Sequence, residues 1–433
     1  MGSPARNRWY AVALFFFFML LHQSDKLLIG PLTTDIMDTF GLTQTQMGAV
    51  STGALVVGAV FYPLWGYLYD RYARGKLLAL ASFIWGATTW LNAIAPTYPA
   101  FLATRASTGV DDSSYPGLYS LISDYFKPTT RGKIYGLLQL TMPLGYLLGM
   151  FLAILLGGSI GWRSVFYITG SLGLVLSVLI FFGVKEAPRG KSEPEMVGLE
   201  QVGTYKFDWK IAKDLLKKRT LLMIVVQGFF GVFPWNVITY WFFTYLERER
   251  GYEQGSILMT MVPAVLVLAA GYPIGGALGD YFFKRNTRGR IYVSTVGVVL
   301  GAILLYFTIQ VPLAEQTRFM IMLCLTALFI PFASANVVST VYDITLPEVR
   351  ATANAVENFI ESGGAALAPL IAGIIADALS LRDAILIICL STWAVCAVFF
   401  LITSRFIDHD VRVLRSQMRE RAALEQARQA AGG

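Results

Sequence analysis

Five consecutive polar residues, His22-Gln23-Ser24-Asp25-Lys26, interrupt an apolar stretch running from about residue 9 to residue 37. On a helix His22 shares a face with Asp25, three residues on, and with Lys26, four residues on. An imidazole, a carboxylate and an ammonium on one face can hold an anion or pass a proton. A second apolar stretch carries Arg105, Asp111 and Asp112. Arg105 offers a planar fork of donors suited to a carboxylate or phosphate. Adjacent residues diverge by about 100° around a helix, so at most one of Asp111 and Asp112 faces a cavity squarely. Asp25 and Arg105 both fall towards the outer part of their stretches and are expected to pair. Further on, Gln227, Trp235, Asn236 and Tyr240, with Pro234 breaking the helix, supply amide and aromatic groups suited to a binding wall. Glu357 and Glu361, accompanied by Asn354 and Asn358, place two like carboxylates on one face, where one is expected to carry a proton.

The chemistry these residues offer is binding and proton transfer. Expected contacts to an anionic substrate are Arg105, Lys26, His22, Trp235, Asn236 and Tyr240. Expected proton carriers are Asp25 first, then Asp112, then Glu357 and Glu361. No catalytic constellation stands out and no cofactor is implied. There is no Walker loop. His22 and His409, far apart in sequence, cannot make a metal site alone. Cys324, Cys389 and Cys396 lie in apolar stretches without zinc-like or disulfide spacing and read as small core residues.

The elements that must position such groups are membrane spans. The 433 residues are 55% hydrophobic and only 15% charged, with mean hydropathy +0.56, against about 25% charged in a soluble domain. A soluble globule is excluded. Apolar runs reaching the roughly 20 residues of a spanning helix recur at 9–37, 44–69, 77–95, 98–123, 133–156, 162–184, 220–246, 256–279, 290–311, 318–342, 351–376 and 383–405. That makes twelve spans, helical because period-2 alternation is absent. The first is too long, and lacks the small-residue cleavage site, for a secretory signal peptide, so it is expected to remain.

With the N-terminus inside, nearly all Lys and Arg fall on the cytoplasmic side. The exceptions are Arg163, Arg248, Arg250, Arg318 and Arg382 outside and Lys26 and Arg105 within spans. Both termini are therefore expected in the cytoplasm of a cell (inner or plasma) membrane. The formal charge of +7 reflects this topology and implies no nucleic-acid partner. The chain is expected to divide into a six-span bundle over 1–184, a cytoplasmic linker over 185–219, a second bundle over 220–405 and a cytoplasmic tail over 406–433. Lys213, Lys217, Lys218 and Arg219 beside Trp209, Ala212, Leu215 and Leu216 predict an amphipathic linker helix on the inner leaflet. The tail reads as a solvated or membrane-skimming helix.

Two repeats relate the halves. Gly66-x3-Asp70-Arg71-x2-Arg74-Gly75-Lys76 follows span two; Gly276-x3-Asp280, then Lys284, Arg285 and Arg288, follows span eight. Asp124-x3-Pro128-x2-Arg131 follows span four; Asp343-x3-Pro347-x2-Arg350 follows span ten. Matched pairs in one order indicate a six-span duplication. An Asp at a helix end can accept from a neighbouring helix N-terminus, and arginines can pair with carboxylates, which together would form a cytoplasmic latch.

This loop motif resembles that of the major facilitator superfamily, and the resemblance covers essentially the whole chain. It implies an all-α membrane fold of two pseudo-symmetric six-helix bundles rocking around a central site. It also implies that Asp70, Arg71 and Arg74 form the latch, with Asp124 as partner. Arg105-x3-Gly109-x-Asp111-Asp112-x-Ser114-Tyr115 resembles the R-x3-G-x-G-E-x-S-Y run of the Spinster branch, with Asp111 for Gly and Asp112 for Glu. Asp25-Lys26 stands where that branch has Asp-Arg, and Gly183-Val-Lys-Glu186-Ala-Pro188-Arg189-Gly190 resembles its ending of span six. The Asp-Lys of span one and the Arg of span four also resemble the anion:cation symporter branch. The expectation is a monomeric secondary transporter, not an enzyme, moving an organic or lysolipid-like anion with protons. The alternatives are a small carboxylate or sugar-acid symporter, or a non-transporting receptor.

Overall fold

Apolar residues in long runs, carrying their own backbone hydrogen bonds, give helices throughout the computed structural model, which describes residues 4–112, 114–126, 134, 137–187, 218–345 and 350–432. Most of the predicted linker helix, Arg131 and Pro347 lie outside the described residues, as do the side chains of Asp70, Arg350 and Asn354. Among the described residues, ten helices are long and apolar enough to cross a membrane. An eleventh span is a bent pair, Asn7–Leu27 and Ile29–Phe40, meeting at 42°. The remaining predicted span, 98–123, is broken into Tyr98–Ser107, Gly109–Asp112 and Tyr115–Tyr125.

Both irregular spans break where the polar residues sit. Pro31 has no N–H for the carbonyl of Leu27 and its ring crowds that oxygen, so span one bends there. In span four Pro116 likewise removes the donor that Asp112 would bond. Gly109 is packed against span two, where an added Cβ would lie 2.0 Å from the Ala54 carbonyl oxygen. Only glycine lets the broken turn come this close.

Packing groups the described residues into two units. Unit one holds Met1–Tyr205 with Asn236–Leu258 and Ala366–Ala384; unit two holds Lys206–Trp235, Met259–Ala365 and Ile385–Gly433. Within unit one the added segments of spans seven and eleven seal the end where span two begins. The Asp377 carboxylate caps span two through the backbone N–H groups of Gln44 (2.9 Å) and Thr45 (2.7 Å). Thr43 accepts from Gln46 N, completing the cap. The Tyr240 hydroxyl donates to the Met47 carbonyl at 2.6 Å, and the Thr52 hydroxyl to that of Ala366 at 2.6 Å. Glycines make the approach possible: a Cβ on Gly48 would lie 2.5 Å from the Pro369 oxygen, and one on Gly373 2.4 Å from the Gln44 oxygen.

The tail differs from the solvated or skimming helix expected. It continues span twelve as one helix, Leu381–Gly432, and buries Ile407, Val411 and Leu414 in unit two. Asp408 pairs with Arg288 and accepts from Thr287, and Asp410 accepts from Thr220 N at 3.4 Å. These apolar positions follow the helical period across the segment's charged sequence, which is why composition hid them.

Candidate functional site

The polar run of span one is packed on three sides. Span five approaches through Gly145 and Gly149, whose missing side chains make room for Gln23 and the backbone of Ser24. Spans three and six present Thr89 and Thr169, whose hydroxyls donate to the two oxygens of Asp25 at 3.0 and 2.7 Å. Span four presents the rest. Lys26 Nζ meets Asp112 Oδ2 at 2.9 Å. His22 Nε2 lies 2.8 Å from Asp111 Oδ2 and 3.5 Å from Asp112 Oδ1, while His22 Nδ1 is 2.5 Å from the Tyr115 hydroxyl. His22, Asp25, Arg105 and Asp111 are all buried.

Arg105 is held loosely. Its Nη1 lies 3.6 Å from Asp25 Oδ2, beyond hydrogen-bonding range, and Nη2 reaches the carbonyls of Asp25 and Lys26 at 3.5 Å. Nη1 has no hydrogen-bond partner among the described residues, although the side chain is only 5% exposed. A buried guanidinium with an unmade bond favours an incoming anion, because the desolvation cost is already present without full compensation. A cavity of about 40 Å³, room for a water molecule, is lined by His22, Asp25, Lys26, Arg105, Thr108 and Asp112 among others. Asp112 lines it and Asp111 turns away, as the 100° divergence requires.

The other expected residues are placed as follows. Trp235 and Asn236 are half-buried on span seven. Tyr240 is buried with its hydroxyl committed to the Met47 carbonyl in the seal. In unit two Glu357 is 4% exposed and Glu361 half-buried. Among the described residues neither forms an ion pair or side-chain hydrogen bond. Glu361 lies over Gly228, where a Cβ would be 2.8 Å from its Oε1.

At the other end of unit one Arg74 is the centre of the motif. Nearly fully buried, it donates to Asp124 Oδ2 (2.5 Å), Glu186 Oε1 (2.8 Å), Ser120 Oγ (2.9 Å) and the Ala187 carbonyl (2.9 Å). Glu186 also accepts from Gly75 N at 3.1 Å. Arg71 does not join them: it is exposed and lies over the Tyr67 ring at 4.3 Å. Gly66 has open space where a Cβ would stand. In unit two Arg290 bonds Asp280 at 2.6 Å and pairs with Asp343. Sequence reasoning missed Arg290, Glu186, Thr89 and Thr169. Arg74 opens the helix after its motif and Arg290 stands second in the corresponding helix Gly289–Gln310, which was the available signal for Arg290; a longer loop before Arg290 hid it.

Comparison with known proteins agrees with this architecture. Residues 14–369 match the model of the Major Facilitator Superfamily. The chain belongs to that family. It is therefore a multi-pass membrane transporter with the expected all-helical fold, and not an enzyme. It is 28% identical to the protein spinster of Drosophila melanogaster over 394 residues, 88% of this chain and 64% of that protein's length. It is 24% identical to the hexuronate transporter of Bacillus subtilis over 381 residues, 84% and 87% of the two chains. A bacterial homologue of the human lysosomal transporter Spinster, solved in an inward-facing, unoccupied conformation, superposes with TM-score 0.79 at 18% identity, covering 96% of this chain and 99% of that one. This chain is thus similar both to a spinster protein and to a hexuronate transporter.

Proposed function

We propose that this transporter carries an organic anion, a small sugar acid or an amphiphile with an anionic headgroup, together with protons, by alternating access. The observation that carries the reading is the buried, under-bonded guanidinium of Arg105 beside Lys26 at the edge of a polar cavity. An anion there would accept from the free Nη1 as a water molecule can, and would add the negative charge that makes the hydrogen bond a strong one. The relationship to a hexuronate transporter supports the acidic group; the amphiphilic option rests on the resemblance of the span-four run to the Spinster branch. His22, Lys26, Trp235, Asn236 and Tyr240 complete the proposed substrate set.

Protons are exchanged on the intramembrane carboxylates. Asp25 and Asp112 both line the cavity; Asp112 comes first because both oxygens of Asp25 already accept from threonines; Glu357 and Glu361 serve the second half. The proposed working division is two six-span bundles over 1–184 and 220–405 joined by the 185–219 linker, with the 406–433 tail and both termini cytoplasmic. Asp70, Arg74, Asp124 and Arg131, with Asp280 and Arg350 in the second half, form the cytoplasmic latch, while Gly66 and Arg71 belong to the same loop motif without entering the Arg74 cluster. The protein acts as a monomer in the cell membrane.

The test is uptake into proteoliposomes with and without an imposed pH gradient, using radiolabelled hexuronate and fluorescent lysophosphatidylglycerol. Gradient-driven accumulation of one of them, abolished by Arg105→Ala, is expected. Accumulation unchanged in Arg105→Ala would remove the anion-binding role.

A further inference from the structure

Resting on the proton-coupled reading above, we infer that the transported proton is held by the buried pair His22–Asp111, with Asp112 as the group that passes it in from the cavity. Asp111 is fully buried, and among the described residues no donor other than His22 reaches either of its oxygens. His22 Nε2 stands 2.8 Å from Asp111 Oδ2, so a proton placed on Nε2 turns that contact into an ion pair. In the neutral imidazole the ring proton sits on Nδ1 and is donated to the Tyr115 hydroxyl oxygen at 2.5 Å, which leaves Nε2 bare beside the two carboxylates. A second proton, on Nε2, makes the imidazolium, which then donates to Asp111 through Nε2 while Nδ1 keeps its bond to Tyr115.

Charge decides which form is favoured. The groups facing His22 and its neighbours are Asp25, Lys26, Arg105, Asp111 and Asp112, three anions against two cations, together with the neutral Tyr115. With neutral His22 the cluster is left with one uncompensated negative charge in a buried site. With imidazolium it is neutral, so the site accepts one proton at low electrostatic cost. Asp112 is the only one of these carboxylates both lining the cavity and within 3.5 Å of His22 Nε2. A proton arriving on Asp112 passes to the bare Nε2, 3.5 Å away, making the imidazolium and returning Asp112 to its carboxylate form, with no other proton moved. A bound anion adds negative charge to the same cluster, so anion and proton are taken up together.

The test needs no cargo. The Trp85 indole stands edge-on to the His22 ring, centroids 5.5 Å apart, and an imidazolium quenches a neighbouring indole where imidazole does not. Fluorescence of the full chain in nanodiscs is titrated with pH, with Trp85→Phe supplying the background. A single step is expected in the parent, absent from His22→Gln and displaced by at least about one pH unit, a tenfold change in proton affinity, in Asp111→Asn. Should Asp111→Asn not fold, Tyr115→Phe removes the other partner of His22 and must displace the step as well. No Trp85-dependent step, or a step unmoved by both substitutions, overturns the inference whatever the cargo. A step that behaves as expected while Arg105→Ala still accumulates anions overturns instead the anion-binding reading.

Discussion

Replacing Gly48 by alanine, or Gly373 by alanine, should open the seal at the start of span two. The new Cβ would stand 2.5 Å from the Pro369 oxygen in the first case and 2.4 Å from the Gln44 oxygen in the second. Ordinary contact begins near 3.4 Å. The two backbones must therefore separate by about 1 Å, and the obstructing atoms are main-chain oxygens that cannot swing aside. Overpacking of this kind costs about 1–3 kcal/mol. Alanine also favours helix over glycine by roughly 1 kcal/mol, but that gain is common to sealed and unsealed forms and cancels. The whole penalty falls on the sealed form, so its population relative to the opened form should drop roughly 5- to 150-fold. A cysteine at Ser51, which lines the polar cavity, reports the change in a background lacking Cys324, Cys389 and Cys396. Its reaction with a membrane-impermeant maleimide is followed in right-side-out and inverted vesicles. Labelling should rise by that factor from the side where span two begins and fall from the other. Unchanged rates in folded Gly48→Ala and Gly373→Ala proteins would refute the reasoning that these close contacts hold the seal.

Arg74→Ala leaves the buried Asp124 carboxylate without its cation, a loss of about 3–5 kcal/mol, while the half-exposed Glu186 adds little. Thermal unfolding in detergent should show a large decrease, with Arg74→Lys intermediate because it keeps the charge and loses the fork; equal melting of Arg74→Ala and the parent contradicts the arrangement. Asp70→Asn should cripple transport while leaving equilibrium cargo binding within about tenfold, a difference below about 1.4 kcal/mol, read by ligand-induced thermal shift. Arg105→Lys should weaken anion binding and Arg105→Ala abolish it, measured by the same shift.

The sequence by itself determined the membrane class, the spans, the family and where the polar residues of the proposed site fall in those spans. Those follow from one-dimensional quantities: apolar run length, the basic bias of the loops, and a D-x3-P-x2-R spacing repeated in both halves. The run His22–Lys26 was legible for the same reason, since five polar residues in a spanning helix must be accommodated wherever that helix packs. Tertiary structure decided the partners. Asp25 is met by Thr89, 64 residues away, and by Thr169, 144 residues away; Arg74 meets Glu186 across 112. Threonines are common in spans and carry no periodic signal, so nothing local marks the two that bond Asp25. Their hydroxyls satisfy that carboxylate and leave Arg105 with an unmade bond. Sequence named the pair Asp25 and Arg105, but only the packing of spans three and six against span one decided how loosely the pair is joined. The tail differs for the converse reason: its charges outnumber the few apolar residues that bury, and burial depends on the neighbouring helices being present to receive them.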